Sequence, residues 1–313
     1  MNSTPRTAFI LQIHKNPDQV NKFINQLISD GQADVFIHID KRNYGNYIEK
    51  IVKSPNVKVL QQSIVCEWGD ISQVDTTILL LKEVLASNNN YDFVCLRSGQ
   101  DLLVKDGFKD FLLINKDKVF MNFRKMSEET LGFMKINWPK VTRRRYTAVH
   151  PIRVYRRILL RFYSKGINIS PNKNKWPKDY SFYKGSQWFS IPFEVAKYII
   201  EFLEKNEWYY KFFENTLVPD ESFFHTLIMN SHYKTDVVHN NLMFLKWGET
   251  LSERNSPQDL TREDIKSIEE TDHYFARKFD QNIDNIVVDY FANKVKFGRS
   301  SLAKRDEDLI IIN

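Results

Sequence analysis

The residues best suited to chemistry sit in Pro219-Asp220-Glu221-Ser222-Phe223-Phe224-His225-Thr226. The proline sets a turn, and two adjacent carboxylates precede an apolar run that reads as a helix over about 223–229. Neighbouring residues on a turn point in different directions, so Asp220 can cap the helix while Glu221 faces a cleft. A carboxylate aimed into a cleft can take a proton from an attacking hydroxyl, the general-base step of a transferase. Charge of the opposite sign follows at Arg277-Lys278, set among Tyr274, Phe275 and Phe279. A guanidinium fork beside an ammonium can clamp a diphosphate and replace a divalent cation. A solvated helix end is the plainer alternative for this pair.

Weaker signals lie at strand ends and turns. Asp40 ends the run Val35 to Asp40, where it either terminates a strand or binds a ribose or base. Trp68-Gly69 reads first as a core plug with a tight turn, although the glycine would also let the backbone approach a ligand. Ser98-Gly99-Gln100-Asp101 is a polar turn after a buried strand. Gly185-Ser186-Gln187-Trp188-Phe189 joins a flexible turn to an aromatic that can stack on a sugar or fill the core.

The elements that position these residues alternate in type. Strands are expected at Ala8 to His14, Val35 to Asp40, Val57 to Leu60 and Tyr91 to Leu96. Helical spacing covers Val20 to Leu27 and Ser72 to Leu85, the latter capped by Asp70 or Ser72. Alternation of this kind implies a mostly parallel sheet covered on both faces, with ligands at the carboxyl ends of its strands. The second half is less regular. An edge strand is expected over Gln187 to Ile191, helices near Glu194 to Glu204 and Phe223 to Met229, and a strand near Leu242 to Lys246. Residues 139–180 read as an excursion, and the tail beyond Phe297 as loosely attached.

The chain of 313 residues carries 42% hydrophobic and 14% aromatic residues, enough for a large core, and a net charge of +6 that favours an anionic partner. Much of that charge is local: Arg143, Arg144, Arg145, Arg153, Arg156, Arg157, Arg161 and Lys165 share one window with Tyr146, Tyr155, Phe162 and Tyr163. Such a stretch suits a solvated face, a basic amphipathic helix at an anionic membrane, or a nucleic-acid surface. Two cysteines, Cys66 and Cys95, make no disulfide framework and are expected as buried free thiols. The short polar start and the lack of a long apolar run give the expectation of a soluble, cytoplasmic protein that can touch the inner face of a membrane. No GxGxxG, Walker loop, HExxH or GxSxG occurs. The one Asp-x-Asp, Asp306-Glu307-Asp308, lies in the polar tail and is discounted as a metal site.

Taken in order, several segments resemble the Branch family of glycosyltransferases, which contains core-2/I-branching β-1,6-N-acetylglucosaminyltransferases and peptide O-xylosyltransferases. They are His38-Ile39-Asp40, Trp68-Gly69 with Ser72, Ser98 to Asp101, Gly185 to Phe189, Pro219 to Phe224, Asn230-Ser231, Asn240-Asn241-Leu242, Trp247, Ser256-Pro257 and Phe275 to Asp280. Their order and spacing carry the likeness over about 8–281, and residues 110–180 match poorly. The resemblance implies an α/β, GT-A-like fold without the metal-binding Asp-x-Asp. It places Asp40 at the uridine, Glu221 as catalytic base, and Ser256, Arg277 and Lys278 at the diphosphate of UDP. Gln12 and Trp68 are grouped with the nucleotide site, and Asp101, Gln187, Trp188 and Trp247 with the sugar substrates. Gln187 falls where some relatives carry an acid. The disulfide-forming cysteines of secreted relatives are missing.

The expectation is one glycosyltransferase domain over 1–297, with a nucleotide-binding half near 8–110, an acceptor and catalytic half near 111–297, and a tail over 298–313. Its activity would be inverting, without cofactor or metal, moving GlcNAc or xylose from a UDP-sugar to a glycan acceptor that can be lipid-linked. Surface-polysaccharide synthesis would be the setting, with no nucleic-acid partner. The competing class is a non-catalytic basic module that binds an anionic polymer or a membrane surface.

Overall fold

A computed structural model describes residues 6–87, 89–147, 149–250 and 256–300. Its strands are β1 (Thr7–Ile13), β2 (Ala33–Ile39), β3 (Val57–Val59), β4 (Phe93–Ser98), β5 (Leu102–Leu103), β6 (Val119–Met121), β7 (Arg124–Lys125), β8 (Tyr183–Lys184), β9 (Phe189–Pro192), β10 (Val237–Val238), β11 (Met243–Leu245) and β12 (Phe275–Arg277). Seven of them form one sheet in the order β10-β6-β9-β4-β1-β2-β3. All neighbours pair in parallel except β9, which runs antiparallel to both β4 and β6. This is an α/β architecture built on one mostly parallel sheet, as the alternating elements imply.

β1, β2 and β4 are buried along their whole length, which is why each reads as an unbroken apolar run rather than an alternating one. The chain builds outward from β1 through β2 to β3, then returns to place β4 on the other side of β1. The order reverses between β1 and β4, so a crevice opens at their carboxyl ends. Gln12, Asp40 and the Ser98 to Asp101 turn all lie there, as their strands end.

A second, three-stranded sheet, β11-β12-β5, stands beside the main one. Phe275 anchors β12 in the core through edge contacts with Phe108 at 4.9 Å and Phe9 at 6.4 Å. Arg277 therefore leaves a fixed strand, not a solvated helix end. β9 and β10, from the second half of the chain, complete the sheet begun by the first half.

Other expectations need correction. β9 is an interior strand, not an edge, because β6 covers its far side. Neither Asp70 nor Ser72 caps the Ser72–Ala86 helix: Ile71 is its N-cap, and Asp70 instead pairs with Arg143 at 2.9 Å. The Phe223–Met229 helix starts at Ser222 without any side-chain cap, so Asp220 does not fill that role. Trp68 is exposed at 45%, not a core plug. The Asn285–Lys294 helix, capped by Asp284, was not expected. The tail is bound at its start, where Gly107 N–H donates to Arg299 O and Ser300 Oγ donates to Asp110. Asp306 to Asp308 lies outside the described residues. Cys95 is buried and Cys66 half-buried, both free.

Candidate active site

Lys184, the last residue of β8, and Gly185, Ser186, Gln187 and Trp188, between β8 and β9, link the two charged centres. At one end Lys184 Nζ lies 3.2 Å from Glu221 Oε2, and Gly185 N–H donates to Glu221 O at 2.8 Å. Glycine is required there, since a Cβ on Gly185 would sit 1.8 Å from Asn122 O. At the other end the Trp188 ring lies 4.2 Å from the Arg277 guanidinium. Glu221 and Arg277 thus flank one five-residue strip, with the half-buried Gln187 between them.

The Pro219–Glu221 turn leaves the Glu221 side chain 41% exposed while its ion pair orients it. Asp220 has the opposite environment. Burial, then the neighbouring charge of Glu221, pushes its carboxyl up to about 7, and its Oδ1 is buried without a hydrogen-bond partner. That environment favours the protonated form of Asp220.

Arg277 and Lys278 are adjacent cations, with Asp101 the acid facing Arg277. Arg277 Nη1 is 3.6 Å from Asp101 Oδ1, beyond hydrogen-bond reach, and both Nε and Nη1 are buried without partners. Asp101 is already committed, accepting from Ser98 N–H at 2.8 Å and Ser98 Oγ at 3.0 Å. Lys278 Nζ donates to Ser256 Oγ at 3.0 Å. Burial lowers the Lys278 pKa, Asp259 opposes, and the fields of Arg277, Arg145 and Lys15 lower it further. Buried N–H donors that lack acceptors, amid cations that repel one another, are stabilised by an incoming anion.

Asp40 stands at the end of β2 with both oxygens occupied. Oδ1 accepts from Arg42 N–H and Nε, and Oδ2 from Arg42 Nη2 and Cys66 N–H. Asp40 thereby fixes Arg42 and the loop that carries Cys66. Gln12 is buried, its amide donating to Thr77 Oγ1 at 2.8 Å. Trp68 and Trp247 are exposed, Trp247 at 49%. The structure thus brings Asp101, Trp188 and Arg277 together, joins Lys278 to Ser256, and sets Glu221 at the other end of the same strip. Sequence reasoning missed Lys184, Arg42 and Lys15. Arg42 carried a signal, because an aspartate commonly bonds the backbone two residues on. Among the described residues no group of three His, Cys, Asp or Glu side chains gathers as a metal site.

Two buried histidines hold this frame. His38 Nε2 accepts from Ile64 N–H at 2.8 Å, and His225 Nε2 lies 2.9 Å from Ser186 O. Burial lowers both pKa values to about 4, against 6.5 in the unfolded chain. Between these values the unfolded state binds more protons, so stability present above pH 6.5 is lost as pH falls towards 4. Each histidine contributes about 3 kcal/mol to that loss. Asp220, with its raised pKa, offsets part of it below pH 7. Urea unfolding at pH 7 and pH 5 should show the net decrease, and His38→Gln, which keeps an acceptor for Ile64, should reduce it.

The sequence model of the family described as Core-2/I-Branching enzyme matches residues 7–269. The chain belongs to this family of glycosyltransferases. It is 27% identical over 306 residues to xylosyltransferase oxt of Drosophila melanogaster, covering 90% of this chain and 32% of that protein. Xylosyltransferase 1 of Homo sapiens is 22% identical over 323 residues, covering 91% and 30%. The chain thus spans about a third of the length of these curated relatives. Among solved structures, a protein assigned as a glucose-1-phosphate thymidylyltransferase from Bacillus anthracis, in complex with a sucrose, aligns over 62% of this chain and 75% of its own, at 12% identity and a TM-score of 0.28. Among the described residues no helix is long and apolar enough to cross a membrane.

Proposed function

We propose that this chain is an inverting, metal-independent transferase that moves GlcNAc or xylose from a UDP-sugar to a hydroxyl of an acceptor glycan, with surface-polysaccharide assembly as the setting. The observation that carries the reading is the Arg277 guanidinium, whose buried Nε and Nη1 lack hydrogen-bond partners, adjoin Lys278 and lie across the 184–188 strip from Glu221. Glu221 takes the proton of the acceptor hydroxyl as its oxygen attacks the anomeric carbon. The bond from that carbon to the diphosphate breaks in the same step, and the departing UDP carries its charge to Arg277 and Lys278. Ser256 orients Lys278. Asp40, through Arg42, shapes the uridine end, while Trp188, Gln187 and Asp101 frame the transferred sugar. The names of the xylosyltransferase relatives keep xylose beside GlcNAc as the transferred sugar. A lipid-linked acceptor fits the basic 143–165 stretch.

A donor screen tests this reading. UDP-GlcNAc and UDP-xylose, incubated with the protein and glycan acceptors in EDTA, should yield UDP at an undiminished rate and a β-linked product. Loss of turnover on chelation, restored by manganese, would remove metal independence from the proposal. An α-linked product would remove inversion. Steeply salt-dependent binding of nucleic acid, with no selectivity for UDP, would favour the basic-module reading.

A further inference from the structure

The Pro151–Ser164 helix has three faces. Its inner face carries the buried Arg156 and Leu159, and Leu159 packs with Ile136, Trp138 and Leu217 in a small cluster apart from the main core. A second face carries Val154, Tyr155, Ile158 and Phe162, exposed at 37%, 44%, 47% and 38%. At about 100° per residue these four span roughly a 100° arc, wide enough for a core-facing stripe, yet they point away from the protein. Arg153, Arg157 and Arg161 recur every four residues along one border of that arc. Ile167, 52% exposed, extends the strip past the helix end, its N–H donating to Phe162 O.

Large apolar side chains gathered on an outer face mark a contact surface, not a chance exposure. The arginine row selects among partners. An antiparallel two-fold contact with a second copy would bring rows of the same sign together. Single-stranded nucleic acid stacks on aromatic rings but gains little from Val154 and Ile158. An anionic bilayer satisfies both components: the apolar strip enters the acyl boundary and the guanidiniums bind phosphates at headgroup level.

We infer that the outer face of this helix docks on the surface of an anionic lipid bilayer. The inference goes beyond the transfer reaction and stands independently of it. It has a geometric consequence, because the cluster under the helix includes Val218, the residue before the Pro219–Glu221 turn. Docking would hold that turn at a fixed height over the lipid headgroups.

Cosedimentation of the full chain with vesicles tests this. Phosphatidylcholine vesicles containing phosphatidylglycerol should bind the protein, phosphatidylcholine alone should not, and added salt should weaken binding. The double variant Arg157→Gln/Arg161→Gln should lower the partition coefficient roughly 25-fold, at about fivefold for each cation removed. Ile158→Ser/Phe162→Ser should abolish binding, with the melting temperature of both variants close to that of the native chain. Equal binding to neutral vesicles, or variants that bind like the native chain, would overturn the inference. So would a dimer in sedimentation velocity that Ile158→Ser/Phe162→Ser dissociates, which would assign the face to a second copy.

Discussion

Glu221→Gln should lower the rate of sugar transfer by about 10²–10⁴-fold, the range that general-base catalysis supplies, and leave UDP affinity nearly unchanged. The amide keeps the volume and can still accept a hydrogen bond from Lys184, but it cannot take a proton. The Glu221–Lys184 pair is part-exposed, so its loss costs little stability. Asp220→Asn is the necessary companion. Asp220 has its carboxyl pushed up to about 7 by burial and by Glu221, a value that would also suit a base. Its orphaned Oδ1 is buried, however, whereas Glu221 is open to solvent and oriented by a cation. Initial rates for the two variants, beside UDP titration by calorimetry, separate these roles. Turnover retained in Glu221→Gln and lost in Asp220→Asn would move the base by one residue.

The first half of the fold was legible because its strands are buried on both faces. Runs such as Ala8 to Ile13 and Val35 to Ile39 have no competing helical reading of that length. β9 could be found but not placed. Whether a strand is edge or interior depends on what pairs with its far side, and here that is β6, three residues long. The caps failed for a related reason: Asp70 finds its partner in Arg143, 73 positions away, and no local pattern announces that. The Asn285–Lys294 helix is different, since Asp284 before an apolar run is a start signal that sequence can show.

The site was legible in its parts and not in its assembly. Glu221 and the Arg277-Lys278 pair stand out by residue type, yet their relation depends on the strip 184–188 touching both. Lys184 gave no signal, because a lone lysine beside a glycine has no distinguishing neighbours. The surroundings of Arg277 carried no sequence signal either. Asp101 lies close but spends its oxygens on the Ser98 turn, and only three-dimensional structure reveals that the guanidinium is left with unpartnered N–H groups.

That imbalance sets the second large effect. Arg277→Ala should weaken UDP binding by about 10²–10⁴-fold, the loss of two charge-assisted hydrogen bonds at roughly 1.5–3 kcal/mol each. It should also lower kcat, because the charge on the leaving diphosphate grows in the transition state. Part of the effect could come from structure, since truncation uncovers Trp188 and leaves Asp101 without its nearby cation. Arg277→Lys separates the two causes. Lysine retains the charge but loses the planar fork and the stacking on Trp188. An intermediate UDP affinity with near-native melting temperature would assign the loss to diphosphate recognition. If Arg277→Ala binds UDP as tightly as the native chain, the empty donors of Arg277 serve some other anion, and the leaving group must be sought elsewhere along the carboxyl ends of β1 and β4.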